Sequence, residues 1–312
     1  MEVTYLRILV TGGAGFIGSH LVEALVSRGY NVRVVDDLST GRESNLEAVR
    51  DKIEFFKGDI RDPAVMIDAV KGVDVVYHLA AKINVEESYA KPDLYWEVNV
   101  LGTRLIVESM VRMGVKRLIF MSSAAVYGDP VYIPIDENHP VNPLNPYGET
   151  KLEGEEIIRR SIKRGEIQAV IVRLFNAYGP RQEGNPYAGV VQKFIERVSS
   201  GKPPIIFGDG LQSRDFIYVK DVVSGLLYIL ERVEDSMILN LGTGVETRII
   251  DLARLILDLL GRSDLDPVFS DPRPGDVRRS VADIRRLRGL GWSPQYSLRD
   301  GLTDMLGLQV GE

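Results

Sequence analysis

The sequence predicts an α/β fold: a doubly wound parallel sheet followed by a smaller α/β C-terminal lobe. Three observations predict it. The first half alternates short β-branched runs with amphipathic helical stretches. A glycine-rich turn joins the first run to the first helical stretch. Beyond about Gly179, Gly and Pro become frequent and the alternation weakens.

The elements follow in order. Arg7–Thr11 reads as a strand and Phe16–Arg28 as a helix, with Ile17, Leu21, Leu25 and Val26 at helical spacing and Gly29 as its end. Asn31–Val35, Ile53–Lys57 and Val73–Leu79 read as strands, with a helix at about Pro63–Val70 before the last of them. A long helix is expected near Leu94–Met113, stopped by Gly114. Arg117–Ser122 and Ala169–Phe175 are strands on either side of a helix that starts at Pro146. Alternation of this kind implies a sheet covered by helices on both faces. Gly179-Pro180, Gly184-Asn185-Pro186, Pro203-Pro204, Gly208-Asp209-Gly210 and Pro272 to Gly275 then mark loops. The division expected is 1–179 and 180–312, with a helix at Asp221–Leu230 and a strand at Met237–Leu241 returning to the first part.

Composition narrows the function classes. The 312 residues are 45% hydrophobic and 26% charged, which suits a soluble globular protein. A net charge of -6 argues against a nucleic-acid partner. With no cysteine there is no disulfide, no thiolate metal site and no Cys nucleophile. His20, His78 and His139 show no ligand spacing, so no metal is expected. No apolar run reaches the length of a membrane span or a signal core, and a cytoplasmic location is expected.

The stretch Thr11-Gly12-Gly13-Ala14-Gly15-Phe16-Ile17-Gly18 runs from strand to helix through G-x-x-G-x-x-G. Gly12 allows the tight turn, Gly15 a close backbone approach to a pyrophosphate, and Gly18 close helix packing. The helix N-terminus offers N–H groups and the positive end of its dipole to phosphates. The second strand is followed by Asp36-Asp37, which suit a ribose diol and disfavour the extra phosphate of NADP, so a Rossmann-type site for NAD is expected. Ser39 and Thr40, just beyond, are placed with the cofactor. Arg33 and Arg42 are the residues that weigh toward NADP.

Asn145 suits a helix cap and Pro146 the first helical position, which puts Tyr147 and Lys151 one turn apart on one face. A tyrosine with a pKa of about 10 is a poor base at neutral pH. A neighbouring ammonium and a cationic nicotinamide favour the phenolate, which can then take a hydroxyl proton as hydride leaves the same carbon. Ser123, at the end of a strand, is placed to orient the reacting oxygen.

Together these residues resemble the extended short-chain dehydrogenase/reductase family, and within it the UDP-hexose 4-epimerases. Further landmarks are Gly58-Asp59-Ile60, His78-Leu79-Ala80-Ala81, Asn99-Val100-Leu101-Gly102-Thr103, Arg173-Leu174-Phe175-Asn176, Arg214-Asp215-Phe216 and Arg273-Pro274-Gly275-Asp276. The resemblance implies that Asp59 and Ile60 flank the adenine, that Leu79, Ala80 and Ala81 line the cofactor, that Asn99 supports the site and that Phe175 packs near the nicotinamide. It implies a UDP-sugar held by Asn176, Phe207, Arg214, Arg273 and Asp276, with Asn84 facing the sugar. Arg forks suit a diphosphate.

Relatives that eliminate water carry Thr-Asp-Glu where this chain has Ser123-Ala124-Ala125, and decarboxylating relatives keep a Glu at the third place. The carboxylates that elimination requires are absent. The expectation is a redox-neutral C4 epimerisation through a 4-keto sugar, on UDP-Glc/UDP-Gal. Small Ser280, at the place that faces the C2 substituent in the epimerases, extends it to UDP-GlcNAc/UDP-GalNAc. The alternatives are an NAD(P)-dependent nucleotide-sugar reductase, a uronate 4-epimerase and a non-enzymatic dinucleotide sensor. The resemblance also implies a homodimer through helices at about Leu94–Met113 and Lys151–Arg164. Ile106, Met110, Ile157 and Ile158 are compatible with that contact and equally with packing on the sheet.

Overall fold

The computed structural model describes residues 6–182, 189–272 and 277–308. Seven strands form one parallel sheet: β1 (Arg7–Thr11), β2 (Asn31–Asp36), β3 (Ile53–Lys57), β4 (Val75–His78), β5 (Arg117–Ser123), β6 (Gln168–Leu174) and β7 (Met237–Leu241). Their order is β7-β6-β5-β4-β1-β2-β3. The chain therefore reverses direction across the sheet at β1, and the carboxyl ends of β1 and β4 flank the topological switch point where ligands bind in open α/β sheets. The register is set by pairs such as Thr11↔Val35 and Thr11↔His78.

Helices α1 (Phe16–Ser27), α2 (Pro63–Val70), α3 (Gly102–Met113), α4 (Pro146–Lys163) and α5 (Val219–Arg232) connect these strands or pack on them. Leu9, Val76, Leu118, Phe120 and Ile171 of the sheet form one buried cluster with Met66 of α2, Ile106 and Met110 of α3, and Ile157 and Ile158 of α4. Ile106, Met110, Ile157 and Ile158 are thus core and supply no face for a second subunit. The side-chain direction of a strand alternates, so Ile8 and Val10 point to the other face. There the Tyr77 hydroxyl donates to Leu226 O of α5 at 2.9 Å, and Arg28 pairs with Glu231.

Two elements differ from their sequence expectation. The helix near Leu94–Met113 is not uniform: Pro92–Tyr95 is α-helical, Trp96–Leu101 is a π turn, and α3 begins at Gly102. Gly102 lies against Ile60: a Cβ there would stand 2.6 Å from Ile60 Cδ1, so the isoleucine would have to shift. The strand expected at Val73–Leu79 is shorter, Val75–His78; its end frees Leu79 to Ala81 to line the switch point.

The chain groups into two compact units. The first holds Met1–Val126, Pro143–Arg173 and Leu226–Leu239, the second Tyr127–Asn142, Leu174–Gly225 and Asn240–Glu312. Tyr127–Asn142 joins the second unit because Ile135 bridges Ala282 and its carbonyl accepts from Asn240 Nδ2 at 2.8 Å. The second unit also contains three small sheets, among them Thr247–Arg248 with Ser213–Arg214 and Arg279–Ser280.

Candidate active site

The glycine turn has the shape its residue types require. Gly12 has φ +72°, and a Cβ on it would meet Ala80 Cα and N at 2.8 Å. A Cβ on Gly18 would lie 2.1 Å from Gly12 O, so α1 packs directly on the turn. Gly15 caps α1 with extended backbone and no side-chain cap bond, and the first turn holds no acidic residue. The amides of Phe16, Ile17 and Gly18 precede the first helical bond, Ser19 N to Gly15 O. An unobstructed helix N-terminus beside a close-approach glycine fits a pyrophosphate.

Asp36 is buried at the end of β2 and accepts from Ala14 N at 2.9 Å and Leu38 N at 2.8 Å. Burial raises its pKa, and those two amides pull it back. Leu38 sits at φ +61°, a conformation rare for a leucine and held by the Asp36 carboxylate. Asp37, Ser39 and Thr40 are exposed beyond it. Arg33 is committed elsewhere, to Glu54 and to the carbonyls of Asp68, Ala69 and Lys71, so it has no reach toward a ribose phosphate. Asp59, half-buried past β3, is held in a fork by Arg61, which lowers its pKa. Ile60 is buried against Gly102 and offers little surface to an adenine.

A chain of hydrogen bonds joins the glycine turn to the reactive helix. Thr150 Oγ1 donates to Tyr147 O at 2.8 Å and accepts from Asn99 Nδ2 at 3.0 Å. Thr103 Oγ1 donates to Asn99 O at 2.6 Å, so toward His78 Nε2, 2.9 Å away, it acts as acceptor. His78 is therefore the neutral Nε2–H tautomer, with Nδ1 accepting from Thr11 Oγ1 at 2.8 Å. Burial and the nearby Lys151 lower its pKa to about 3, which keeps it neutral. Asn99 also clamps Lys82, accepting from its N at 2.8 Å and donating to its O at 2.9 Å. Lys82 Nζ then reaches Ser39 Oγ at 3.1 Å.

The Tyr147 phenol is hydrogen-bonded with Ser123, and Lys151 reaches the same end of β5 at Met121. Asn145 Oδ1 caps α4 by accepting from Gly148 N at 2.9 Å, and a Cβ on Gly148 would meet Ala125 O at 2.8 Å, so the helix start abuts the turn after β5. Burial raises the Tyr147 pKa, and a hydrogen bond with the Ser123 hydroxyl opposes it. Ser123 Oγ also accepts from Ala125 N at 3.1 Å. Lys151 is buried, donates to Met121 O at 2.9 Å and stands 5.2 Å over the Phe120 ring. Burial brings its pKa down to about 7, while Glu155 acts in the opposite direction.

That shift has a stability consequence. The unfolded chain keeps the lysine proton to about pH 10.4, whereas the folded protein begins to lose it near pH 7. Between these values the unfolded state binds more protons, so this residue's contribution to stability rises with pH. Lys151→Met is accordingly expected to melt higher than the parent at pH 6, by several degrees. The difference should shrink between pH 7 and 10, as measured by scanning calorimetry.

The remaining expected residues lie as follows. Leu79, Ala80 and Ala81 are half-buried past β4. Asn84 caps the helix Val85–Ala90 through Oδ1, accepting from Glu87 N at 2.9 Å. In the second unit Phe175 is buried, 6.4 Å from the Tyr127 ring, and Asn176 is exposed. Arg214 and Ser280 are register partners, and Arg214 donates to Val277 O at 2.7 Å. Phe207 ends the strand Ile205–Phe207. Arg273 and Asp276 lie outside the described residues.

Sequence reasoning missed Glu155, Ser122 and the Thr11–His78–Thr103 link. Glu155 was legible in principle, since it continues the Tyr147, Lys151 spacing along one helix face. The His78 partners, distant in sequence, leave no local signal. Among the described residues no helix is long and apolar enough to cross a membrane, and no three His, Asp or Glu side chains converge to hold a metal ion.

Known proteins match this arrangement. The profile of the NAD dependent epimerase/dehydratase family covers residues 8–242. A protein of Methanocaldococcus jannaschii, provisionally named a UDP-glucose 4-epimerase, is 43% identical over 95% of both chains. The UDP-glucose 4-epimerase of Mycolicibacterium smegmatis is 40% identical over 95% of this chain and 96% of its own. A dTDP-D-glucose 4,6-dehydratase of Mus musculus is 32% identical over 95% of this chain and 86% of its own, so dehydratases also stand among the relatives. The structure of the Thermotoga maritima UDP-glucose 4-epimerase with UDP-glucose has a TM-score of 0.92 at 37% identity, covering 97% of this chain and 98% of that one. That of a Methanobrevibacter ruminantium UDP-N-acetylglucosamine 4-epimerase with UDP-N-acetylmuramic acid has 0.90 at 36%, covering 97% and 96%. The Thermus thermophilus UDP-glucose 4-epimerase, in complex with NAD, has 0.89 at 35%, covering 97% and 98%. The chain belongs to the NAD dependent epimerase/dehydratase family.

Proposed function

We propose that the chain is a UDP-hexose 4-epimerase working with retained NAD, on UDP-glucose/UDP-galactose and on UDP-GlcNAc/UDP-GalNAc. The observation that carries it is the reactive set itself: a phenol, a buried ammonium and a serine hydroxyl converge, while Ala124 and Ala125 stand where elimination would need carboxylates. Gly12, Gly15, Phe16, Ile17, Gly18, Asp36 and Asp59 hold the cofactor. When bound, NAD supplies a reversible acceptor for hydride at the sugar's C4.

The protein's own groups handle the proton and the orientation. Ser123 Oγ positions the sugar O4 beside Tyr147 Oη. Tyr147 Oη takes the O4 proton and later returns it to the same oxygen, so the only net change is the configuration at C4. Lys151 supplies the positive charge that makes the phenolate accessible. Arg214 and Asn176, with Arg273 and Asp276, hold the UDP so that the sugar can turn while its nucleotide stays bound. The test is incubation with each of four UDP-hexoses and no added reductant. Formation of the C4 epimer supports the assignment, and its absence for all four sinks it.

Ser280 sets the substrate range. Its small side chain, in register with Arg214, leaves room for an N-acetyl group. Ser280→Tyr is expected to lower kcat/KM for UDP-GlcNAc at least about 100-fold while changing that for UDP-glucose less than about threefold. Equal loss on both would contradict this role.

A homodimer is part of the same proposal. Its face is Trp96, Leu101 and Val111, exposed by 46%, 38% and 40%, and not the buried Ile106, Met110, Ile157 and Ile158.

A further inference from the structure

Beneath the reactive set lies a charged cluster that the proton chemistry above does not use. Glu155, one turn beyond Lys151 on α4, is fully buried, and Arg173 on β6 is 1% exposed. Arg173 grips the carboxylate in a fork, Nε to Oε1 at 2.9 Å and Nη2 to Oε2 at 2.7 Å. Arg159 Nη2 adds a bond to Oε2 at 3.0 Å, and Ser122 Oγ donates to Oε1 at 2.7 Å. A buried ion pair is weak grounds for stability, since apolar residues of similar size often serve as well. Its retention here calls for another reason.

Geometry supplies one. Ser122 is the residue between Met121, whose carbonyl accepts from Lys151, and Ser123, which bonds the Tyr147 phenol. A bond to Ser122 therefore fixes the end of β5 at the point where both contacts of the reactive set originate. The fork to Arg173 matters as much. It commits the Glu155 oxygens, so Lys151 makes no ion pair among the described residues. The ammonium feels the carboxylate at one turn's distance and donates to the Met121 carbonyl instead.

We propose that Glu155 is a positioning residue for the reaction: held by Arg173, it pins Ser122 and holds Lys151 charged without pairing with it. This rests on the 4-epimerase reading for its catalytic meaning. The groups facing Lys151 are Glu155 on its own helix, neutral His78 on β4, and the Met121 carbonyl and Phe120 ring on β5. Arg173 on β6 and Arg159 on α4 face Glu155. Glu155 is the one carboxylate among these groups, so replacing it with an amide moves Lys151 in one direction, toward losing its proton earlier.

The experiment is a pH titration of the protein with 13C-labelled lysine, following the Lys151 Cε resonance, assigned by its disappearance in Lys151→Met. In Glu155→Gln the Lys151 midpoint is expected about one pH unit below that of the parent. Coincident midpoints overturn the proposal. No turnover is needed, so this result is independent of whether any UDP-hexose is epimerised. Ser122→Ala tests the pin while leaving the ion pair intact. Its kcat is expected to fall about tenfold at unchanged KM, with Ser122→Thr recovering the loss. A parent-like kcat in Ser122→Ala overturns the pinning, and a parent without epimerase activity counts against the function above and not against the titration.

Discussion

Tyr147→Phe is expected to lose about 10³-fold in kcat for C4 epimerisation while still binding NAD and the UDP-sugar. The substitution removes one oxygen and keeps the ring, which is half-buried at the start of α4. The capping of that helix by Asn145 and the Thr150 bond to the Tyr147 carbonyl involve no phenolic atom, so the local fold survives. What disappears is the phenol proposed to take the O4 proton. Burial holds the phenol above its usual pKa, and the hydrogen bond with Ser123 opposes that. Ser123 cannot substitute, because a serine hydroxyl is far weaker as an acid than a phenol. Initial rates with UDP-galactose, together with cofactor content from the protein's absorbance, separate loss of chemistry from loss of binding. A variant that retains a tenth of the parental kcat would remove Tyr147 from its role.

The largest effect on stability is expected at Arg173. Arg173→Met strands the Glu155 carboxylate at a fully buried position with only Ser122 and Arg159 as partners. Removing one member of a buried pair typically costs about 3–5 kcal/mol. The loss should sit toward the lower end, since Arg159 is already bonded to the same carboxylate. Arg173→Met combined with Glu155→Met takes away both charges, and most of the lost stability should return. Urea denaturation of the parent, both single variants and the double variant gives the coupling directly. If the double variant is as unstable as the sum of the singles, the buried pair is not the cause.

The fold was legible because its signals are local. Strand and helix periods, the stop at Gly29 and the glycine turn each occupy a few consecutive residues, and the seven-stranded sheet carries them as read. The π turn at Trp96–Leu101 was not legible, because nothing in the local helical spacing marks it. The same division runs through the site. Tyr147, Lys151 and the glycines announce themselves by spacing. His78 looked like part of a cofactor-lining run, and it proves to be a neutral link between Thr11 and Thr103. Arg173 looked like a landmark near the substrate residues, and its side chain turns inward to Glu155. In both cases a landmark whose role the sequence left open makes its hydrogen bonds within the protein. Asn84 shows a milder form of this, with a capping bond that the sequence Asn84-Val85-Glu86-Glu87 also permits.

In the proposed reaction hydride leaves and returns to one carbon of one sugar while the cofactor stays bound. The most direct measurement uses UDP-glucose deuterated at C4, incubated with the protein in the presence of a pool of unlabelled NAD. The account predicts UDP-galactose carrying the full label at C4, with none in the NAD pool or in water. Label lost to either, or a product reduced or dehydrated and not epimerised, would contradict it.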